Sequence, residues 1–248
     1  MSARGWQLAT VKSIKQETLR VKSFTLSLPN WTPHLAGQHY DLRLTAEGGY
    51  QTERSYSVAS SPEQTAEIEL TVELVEDGEV SGYLFEAVVV GDPLEVRGPI
   101  GGYFVWRGET SAPPLLLVGG GSGVVPLMAM LRHRQHLGLR TQAVLLFSVR
   151  TPEEFIYQIE LEELAVADNS FTLLLDYTRQ APAGWAGYHR RIDAALLAEV
   201  VALFTTPPQA FVCGPTGLVE SVANGLQAAG LPPKSILTER FGPTGGQG

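Results

Sequence analysis

Residues 115–131, Leu-Leu-Leu-Val-Gly-Gly-Gly-Ser-Gly-Val-Val-Pro-Leu-Met-Ala-Met-Leu, leave this chain few options. Four apolar residues, Leu115 to Val118, run into five small ones, Gly119 to Gly123. Apolar positions then recur at helical spacing, at Val125, Met128, Ala129 and Leu131. The pattern predicts a strand, a tight turn and a helix. Such a turn can hold a phosphate, because glycines let the backbone approach an anion and the first N–H groups of a helix lack internal partners. Gly120, Gly121, Ser122 and Gly123 are therefore candidate nucleotide contacts, with a glycine-rich structural turn as the plain alternative.

Three rival chemistries use a similar turn. A nucleoside-triphosphatase loop needs Gly-Lys-Ser/Thr, but Val124 follows Gly123 here. A nucleophile elbow needs glycine on both sides of Ser122, and Val124 again occupies one of those positions. The dinucleotide fingerprint fails too, since Val124 and Pro126 stand where its last glycine belongs. The turn alone therefore points to a nucleotide without naming one.

A chain of 248 residues, 44% of them hydrophobic, can bury one large core or two modest ones. It has no apolar run long enough to span a bilayer, and Met1-Ser-Ala-Arg-Gly-Trp lacks a signal-peptide core, so a soluble cytoplasmic protein is expected. The single cysteine, Cys213, excludes an internal disulfide and an iron–sulfur cluster held by four thiolates of this chain. No metal site is expected: His133 and His136 share a helical face without a third ligand and read as a solvated surface. A formal charge of −8 argues against nucleic acid as a partner.

The first hundred residues are short and two-periodic. Ile68, Leu70, Val72 and Leu74 alternate with polar neighbours, as do Tyr40, Leu42 and Leu44, which predicts half-buried antiparallel strands. Turn signals separate them, Asp77-Gly78, Gly91-Asp-Pro93 and Gly98-Pro99 among them, and the spacing suggests a small barrel. A short helix over 81–88 would be capped by Ser81, with Tyr83, Leu84, Ala87 and Val88 inward. Residues 109–114, Glu-Thr-Ser-Ala-Pro-Pro, then break the pattern. Beyond them apolar strands at 115–118, 143–149, 171–175 and 210–213 alternate with helices beginning near Thr151, Asp193 and Thr216, a doubly wound parallel sheet. The expected domains are a barrel over 1–110, an α/β domain over 111–241 and a mobile glycine-rich tail over 242–248.

Arg54-Ser-Tyr-Ser57, the turn from Gly119 to Pro126, Cys213-Gly-Pro-Thr-Gly217 and Glu239-Arg-Phe241 occur in this order across nearly the whole chain. Together they resemble the four signature stretches of the ferredoxin–NADP reductase family. The resemblance implies FAD on the barrel and NADPH on the sheet, with NADH possible and FMN a second candidate flavin. It makes Arg54 the partner of the flavin diphosphate, within the Arg54, Ser55, Tyr56, Ser57 strand; Tyr56 would pack on the isoalloxazine and Ser57 bond its N5. Gly78, Val80 and Ser81 match the segment where the short helix meets the same diphosphate. Cys213, Gly214 and Pro215 would lie beside the nicotinamide, Glu239 near the active centre, and Phe241 over the flavin. Tyr56, Ser57, Cys213 and Glu239 thereby take the catalytic roles. The plain alternatives are an alternating strand, a buried structural thiol and an ordinary strand end. The resemblance is also imperfect, because seven residues follow Phe241 where the best-known members end.

The choice of coenzyme turns on what meets the adenosine ribose: an acidic residue suits a free 2′-hydroxyl and arginine suits a 2′-phosphate. Phe147-Ser-Val-Arg150 ends the second strand, and the capping box Thr151-Pro-Glu-Glu154 follows, which helix initiation explains without Arg150. Arg150, Arg179 and Arg190 or Arg191 are candidate phosphate ligands, or surface arginines serving solubility. The expected activity is hydride transfer from NADPH to the flavin, with electrons passing on to a separate iron–sulfur or haem protein such as a ferredoxin or an oxygenase. The alternatives are a non-catalytic nucleotide-binding or flavin-binding subunit and a reductase of free flavin or quinone.

Overall fold

A computed structural model describes residues 5–241, so the expected mobile tail over 242–248 lies outside the described residues. Two compact units emerge, one comprising residues up to Arg107 together with Met128–Leu137, the other Gly108–Leu127 with the residues from Gly138 on.

In the first unit, strands β1 (Gln7–Thr18), β2 (Val21–Ser27), β3 (His39–Thr45), β4 (Gln51–Ser57), β5 (Glu67–Glu73) and β6 (Pro93–Ile100) form a single sheet with helix α1 (Glu79–Glu86) between β5 and β6. The spatial order is β4-β3-β6-β1-β2-β5, antiparallel throughout. A bridge from Val58, just past β4, to Leu70 on β5 joins the two outer strands and removes the exposed edges. Alternation fills the inside: Tyr40, Leu42, Ile68, Leu70 and Val72 are all buried, as the two-residue period requires.

Local signals misplace four features of this unit. The helix begins at Glu79 with Gly78 as its N-cap, so Ser81 lies in its first turns and does not cap it. Its buried side chains are Val80, Ser81 and Leu84, while Tyr83 and Ala87 face outward. Gly98-Pro99 lies inside β6, not in a turn, because the ring of Tyr40 packs where a Cβ on residue 98 would sit, 2.5 Å from its Cγ. The helix that follows the glycine turn also contributes here: Arg132 Nη1 donates to the Ala59 carbonyl at 2.9 Å and to Glu69 Oε1 at 2.7 Å. His133 is buried on the edge of Trp106 with Nδ1 2.8 Å from Glu63, so only His136 has the solvated position expected of both.

The second unit holds β7 (Leu115–Gly120), the start of α2 (Val124–His136), whose residues from Met128 on belong to the first unit, β8 (Ala143–Val149), α3 (Gln158–Ala167), β9 (Phe171–Tyr177), α4 (Ala194–Val201), β10 (Gln209–Pro215), α5 (Thr216–Ala228) and β11 (Ile236–Phe241). All strand pairs are parallel, in the order β11-β10-β7-β8-β9. Every residue of β7 and β8 is buried, which is why those strands read as unbroken apolar runs. Asp193 caps α4 by accepting from the Leu196 N–H at 2.8 Å. The capping box at Thr151 makes a different structure: Pro152–Glu154 form one 3-10 turn without a side-chain cap, and α3 starts only at Gln158. Among the described residues no helix is long and apolar enough to cross a membrane.

Candidate functional site

On the barrel, β4 presents Arg54 and Tyr56 on one face and Glu53 and Ser55 on the other. Tyr56 is half-buried against the core, and burial pushes its phenol pKa up, with the Arg54 charge opposing. Arg54 Nη1 donates to the Glu53 carbonyl at 2.6 Å, and no carboxylate among the described residues pairs with its guanidinium. A cation so placed is suited to an anion from outside the protein. Ser57 is 7% exposed, and its hydroxyl bonds no described residue.

Ser55 does something else. Its Oγ donates to Asp41 Oδ1 at 2.6 Å, and Arg97 Nη2 donates to Asp41 Oδ2 at 2.7 Å. Burial alone would raise the Asp41 carboxyl, but these bonds outweigh it and hold the group below the usual carboxylate range. Ser55 thus fastens β4 to β3. At the start of α1, Gly78 offers no side chain to the first N–H groups, which stay available to an anion. Ser81 Oγ accepts from the Val75 N–H at 3.1 Å and donates to the Gly78 carbonyl at 3.3 Å, fixing the loop that enters the helix. Val80 is buried in the core, leaving only its backbone for a ligand.

On the sheet, register does the assembly. Cys213 of β10 pairs with Gly119 of β7 on one side and with Glu239 of β11 on the other, so three chemically distinct residues share one row at the carboxyl edge. Cys213 Sγ lies 3.9 Å from Glu239 Oε2. Burial, then the Glu239 carboxylate, push the thiol well above its ordinary value, while burial raises Glu239 to about 7 against the hydrogen bond from Cys213. Pro215 pairs in turn with Phe241, which is 36% exposed.

Gly120 ends β7, Gly121 takes a left-handed φ of 55°, and Gly121–Gly123 form a 3-10 turn that leads straight into α2. At Gly123 a Cβ would sit 2.2 Å from the Cys213 carbonyl oxygen and 2.7 Å from Gly214 Cα, so only glycine lets the turn lie against β10. Ser122 bonds no described residue through its hydroxyl.

The arginines converge at the ends of β8 and β9, where the Arg150 carbonyl accepts the Arg179 and Gln180 N–H groups at 3.0 Å each. They differ in what they already hold. Arg150 Nε is 2.6 Å from Glu154, so the turn after β8 engages the residue that helix initiation left unexplained. Arg190 pairs with Glu199 at 3.2 Å and Asp193 at 3.8 Å. Arg179 and Arg191 are exposed and have no carboxylate partner among the described residues. Sequence reasoning missed Asp176, a fully buried carboxylate in this region; its one signal was a charge near the end of the otherwise apolar or hydroxylic strand Phe171–Tyr177.

The residues present fit a flavin dinucleotide and a pyridine dinucleotide: an unneutralised guanidinium beside an uncapped helix start, and a glycine cradle beside a buried thiol and carboxyl. An antiparallel barrel followed by a parallel sheet with these two cradles defines an FAD-binding and NAD-binding oxidoreductase of two domains. The family models agree, an oxidoreductase FAD-binding domain matching residues 8–105 and an oxidoreductase NAD-binding domain matching residues 117–224. Ferredoxin–NADP reductase B of Sorangium cellulosum is 34% identical over 213 residues, covering 83% of this chain and 84% of the relative. The chain belongs to the ferredoxin–NADP reductase family. The glycine betaine monooxygenase reductase subunit of Pseudomonas aeruginosa is 31% identical over 245 residues; the match covers 98% of this chain but 66% of that protein. A ferredoxin NADP+ reductase from Neisseria gonorrhoeae, solved with bound FAD and NADP, shares the fold at a TM-score of 0.81 and 23% identity, covering 96% of this chain and 99% of that one.

Proposed function

We propose that the protein is a flavoprotein reductase that oxidises NAD(P)H, with NADPH preferred, and passes electrons to a separate protein acceptor in the cytoplasm. Strand β4 carries this reading: within four residues come an arginine and a buried serine whose side chains have no anion and no hydrogen-bond partner, respectively, among the described residues, with a half-buried tyrosine between them. When bound, FAD supplies an acceptor for hydride at N5 and releases electrons singly.

The chain's own residues bind and orient. Arg54 and the N–H groups at the start of α1 supply two attachment points for a diphosphate, which favours FAD over FMN with its single phosphate. Tyr56 offers a ring face for the isoalloxazine, and the Ser57 hydroxyl can hydrogen-bond at N5. Gly121 to Gly123 admit the nucleotide close to the backbone. Glu239, raised to about 7 by burial, can hold a proton on its carboxyl beside Cys213 Sγ at physiological pH. The unpaired guanidiniums of Arg179 and Arg191 suit a 2′-phosphate and support NADPH as the donor.

The acceptor is proposed as an iron–sulfur or haem protein, or an oxygenase component, because a lone buried cysteine cannot hold a cluster. Relatives that are reductase subunits of monooxygenases support the same class of partner. The deciding experiment is an absorbance spectrum of the purified protein followed by anaerobic titration with NADPH and NADH separately. A yellow protein bleached by NADPH at lower concentration than by NADH is expected. A colourless protein that takes up no added FAD sinks the reading, and a yellow one that neither coenzyme bleaches makes it a flavin-binding subunit without activity.

A further inference from the structure

We propose that Asp176 is a positioning residue for recognition of the 2′-phosphate: it pins the loop over 178–191 to the end of the sheet and so places Arg179 and Arg191. The inference rests on the NADPH reading above.

Asp176 is completely buried, and no cation among the described residues forms an ion pair with it. Its oxygens go to two neutral donors instead. Oδ1 accepts from the Arg190 backbone N–H at 3.1 Å and Oδ2 from Ser148 Oγ at 3.3 Å. Burial pushes the carboxyl up, and those two bonds, with smaller help from the Arg190 and His189 charges, work against the rise without cancelling it. An apolar residue would avoid that cost. What the carboxylate provides is geometry: it ties the end of β8 to the returning arm of the loop.

The loop is otherwise held where Asp176 holds it. A parallel bridge joins Asp176 to Tyr188, the Tyr177 N–H donates to the Tyr188 carbonyl at 3.1 Å, and Trp185 Nε1 donates to the same carbonyl at 2.9 Å. The Trp185 ring meets Tyr177 edge-on at 5.0 Å. At the outgoing end, Thr178 N–H donates to the Val149 carbonyl at 2.9 Å, and Arg179 follows. Both unpaired arginines are therefore close in sequence to an anchor. Arg191 follows the N–H that Asp176 accepts, and Arg179 stands three residues after Asp176. The Arg190 side chain turns away to Glu199 and Asp193.

Calorimetric titration of Asp176→Ala and Asp176→Asn with NADP+ and with NAD+ tests this without relying on turnover. Alanine should raise the Kd for NADP+ by about tenfold or more and change that for NAD+ by no more than about twofold. Asparagine keeps an acceptor for the Arg190 N–H and should stay within about threefold of wild type for both. Equal loss of both nucleotides, an unchanged NADP+ affinity in the alanine variant, or asparagine as damaging as alanine would each overturn the proposal. Wild-type protein that binds NAD+ as tightly as NADP+ overturns the NADPH reading, and this inference with it; a wild-type preference that survives Asp176→Ala overturns the inference alone. If the alanine variant does not fold, hydrogen exchange of the wild type decides. Residues 188–191 should gain protection with NADP+ and not with NAD+, and an Arg190 amide that exchanges like free chain overturns the assignment.

Discussion

Strand β4 and the β10–β11 pair are both proposed to serve one electron path, yet they are built on opposite terms. The strand keeps its functional groups at the surface or just beneath it, with Arg54 unneutralised and Ser57 unbonded, and relies on the two-residue alternation to aim them. The pair buries a thiol and a carboxyl side by side and shifts both. A cofactor that stays bound needs fixed contacts and no proton chemistry from its holder. A nucleotide that comes and goes, and whose oxidation releases hydride to the flavin, gains from a carboxyl poised near neutrality beside a thiol kept protonated.

The sharpest way to break this contrast is Gly123→Val, because its Cβ collides with the backbone of β10 and not with a movable side chain. Overpacking of that kind costs about 1–3 kcal/mol, so NADP+ affinity should fall by up to about 100-fold. Flavin content should remain near wild type, since the turn belongs to the second unit. Loss of flavin from this variant would show that the two regions do not act separately. Arg54→Ala is the reciprocal experiment. Removing a charge-assisted contact worth about 1.5–3 kcal/mol should weaken FAD binding by about 10-fold to 100-fold, while 2′,5′-ADP affinity stays unchanged. Flavin retained at wild-type affinity would take Arg54 out of the site.

The two regions were also unequally legible. The apolar run of β7 and its five small residues announce strand, turn and helix within seventeen positions, because every contact that makes them is local or dictated by burial on both faces. The alternation around Tyr40 and Ile68 is as plain. What local reading misplaced depends on distant partners. Ser81 has the chemistry of a cap, but the Val75 N–H claims its oxygen and α1 starts two residues earlier. Thr151-Pro-Glu-Glu154 has the letters of a helix start, yet Arg150 takes Glu154 and the chain makes one tight turn before α3. The facing of Cys213 and Glu239 arises only from the parallel register of two strands 26 residues apart in sequence, so no spacing rule could give it.

The buried pair makes a prediction in pH. Glu239 is raised from its ordinary value to about 7 in the folded protein. Between the unfolded and folded values the folded state therefore binds the extra proton, and its stability contribution declines as pH rises through that window. Reduction of the flavin by NADPH should titrate with a midpoint near 7, and Glu239→Gln should flatten that limb and slow the plateau by about tenfold. A wild-type profile without an inflection near 7, or one that the glutamine variant reproduces, would leave the carboxyl without a part in proton traffic.

The smallest expected effect separates two neighbouring arginines. Arg150 and Arg179 lie within one backbone hydrogen bond of each other, and composition alone would treat them alike. Arg150, however, holds Glu154 at 2.6 Å in an exposed i,i+4 pair, whereas Arg179 holds no carboxylate among the described residues. To meet a phosphate, Arg150 must first leave that partner, and an exposed pair of this kind is worth only about 0.3–0.5 kcal/mol. The bias against it is therefore slight but has a definite sign. Arg179→Ala should raise the KM for NADPH by about tenfold, and Arg150→Ala by no more than about threefold, with the KM for NADH unmoved in both. Glu154→Gln in the wild type removes this ion pair from Arg150 and should lower the KM for NADPH by no more than about twofold. If Arg150→Ala is the more damaging substitution, the ion pair at Glu154 gives way to the coenzyme, and the arginine that the turn engages is the one that reads the phosphate.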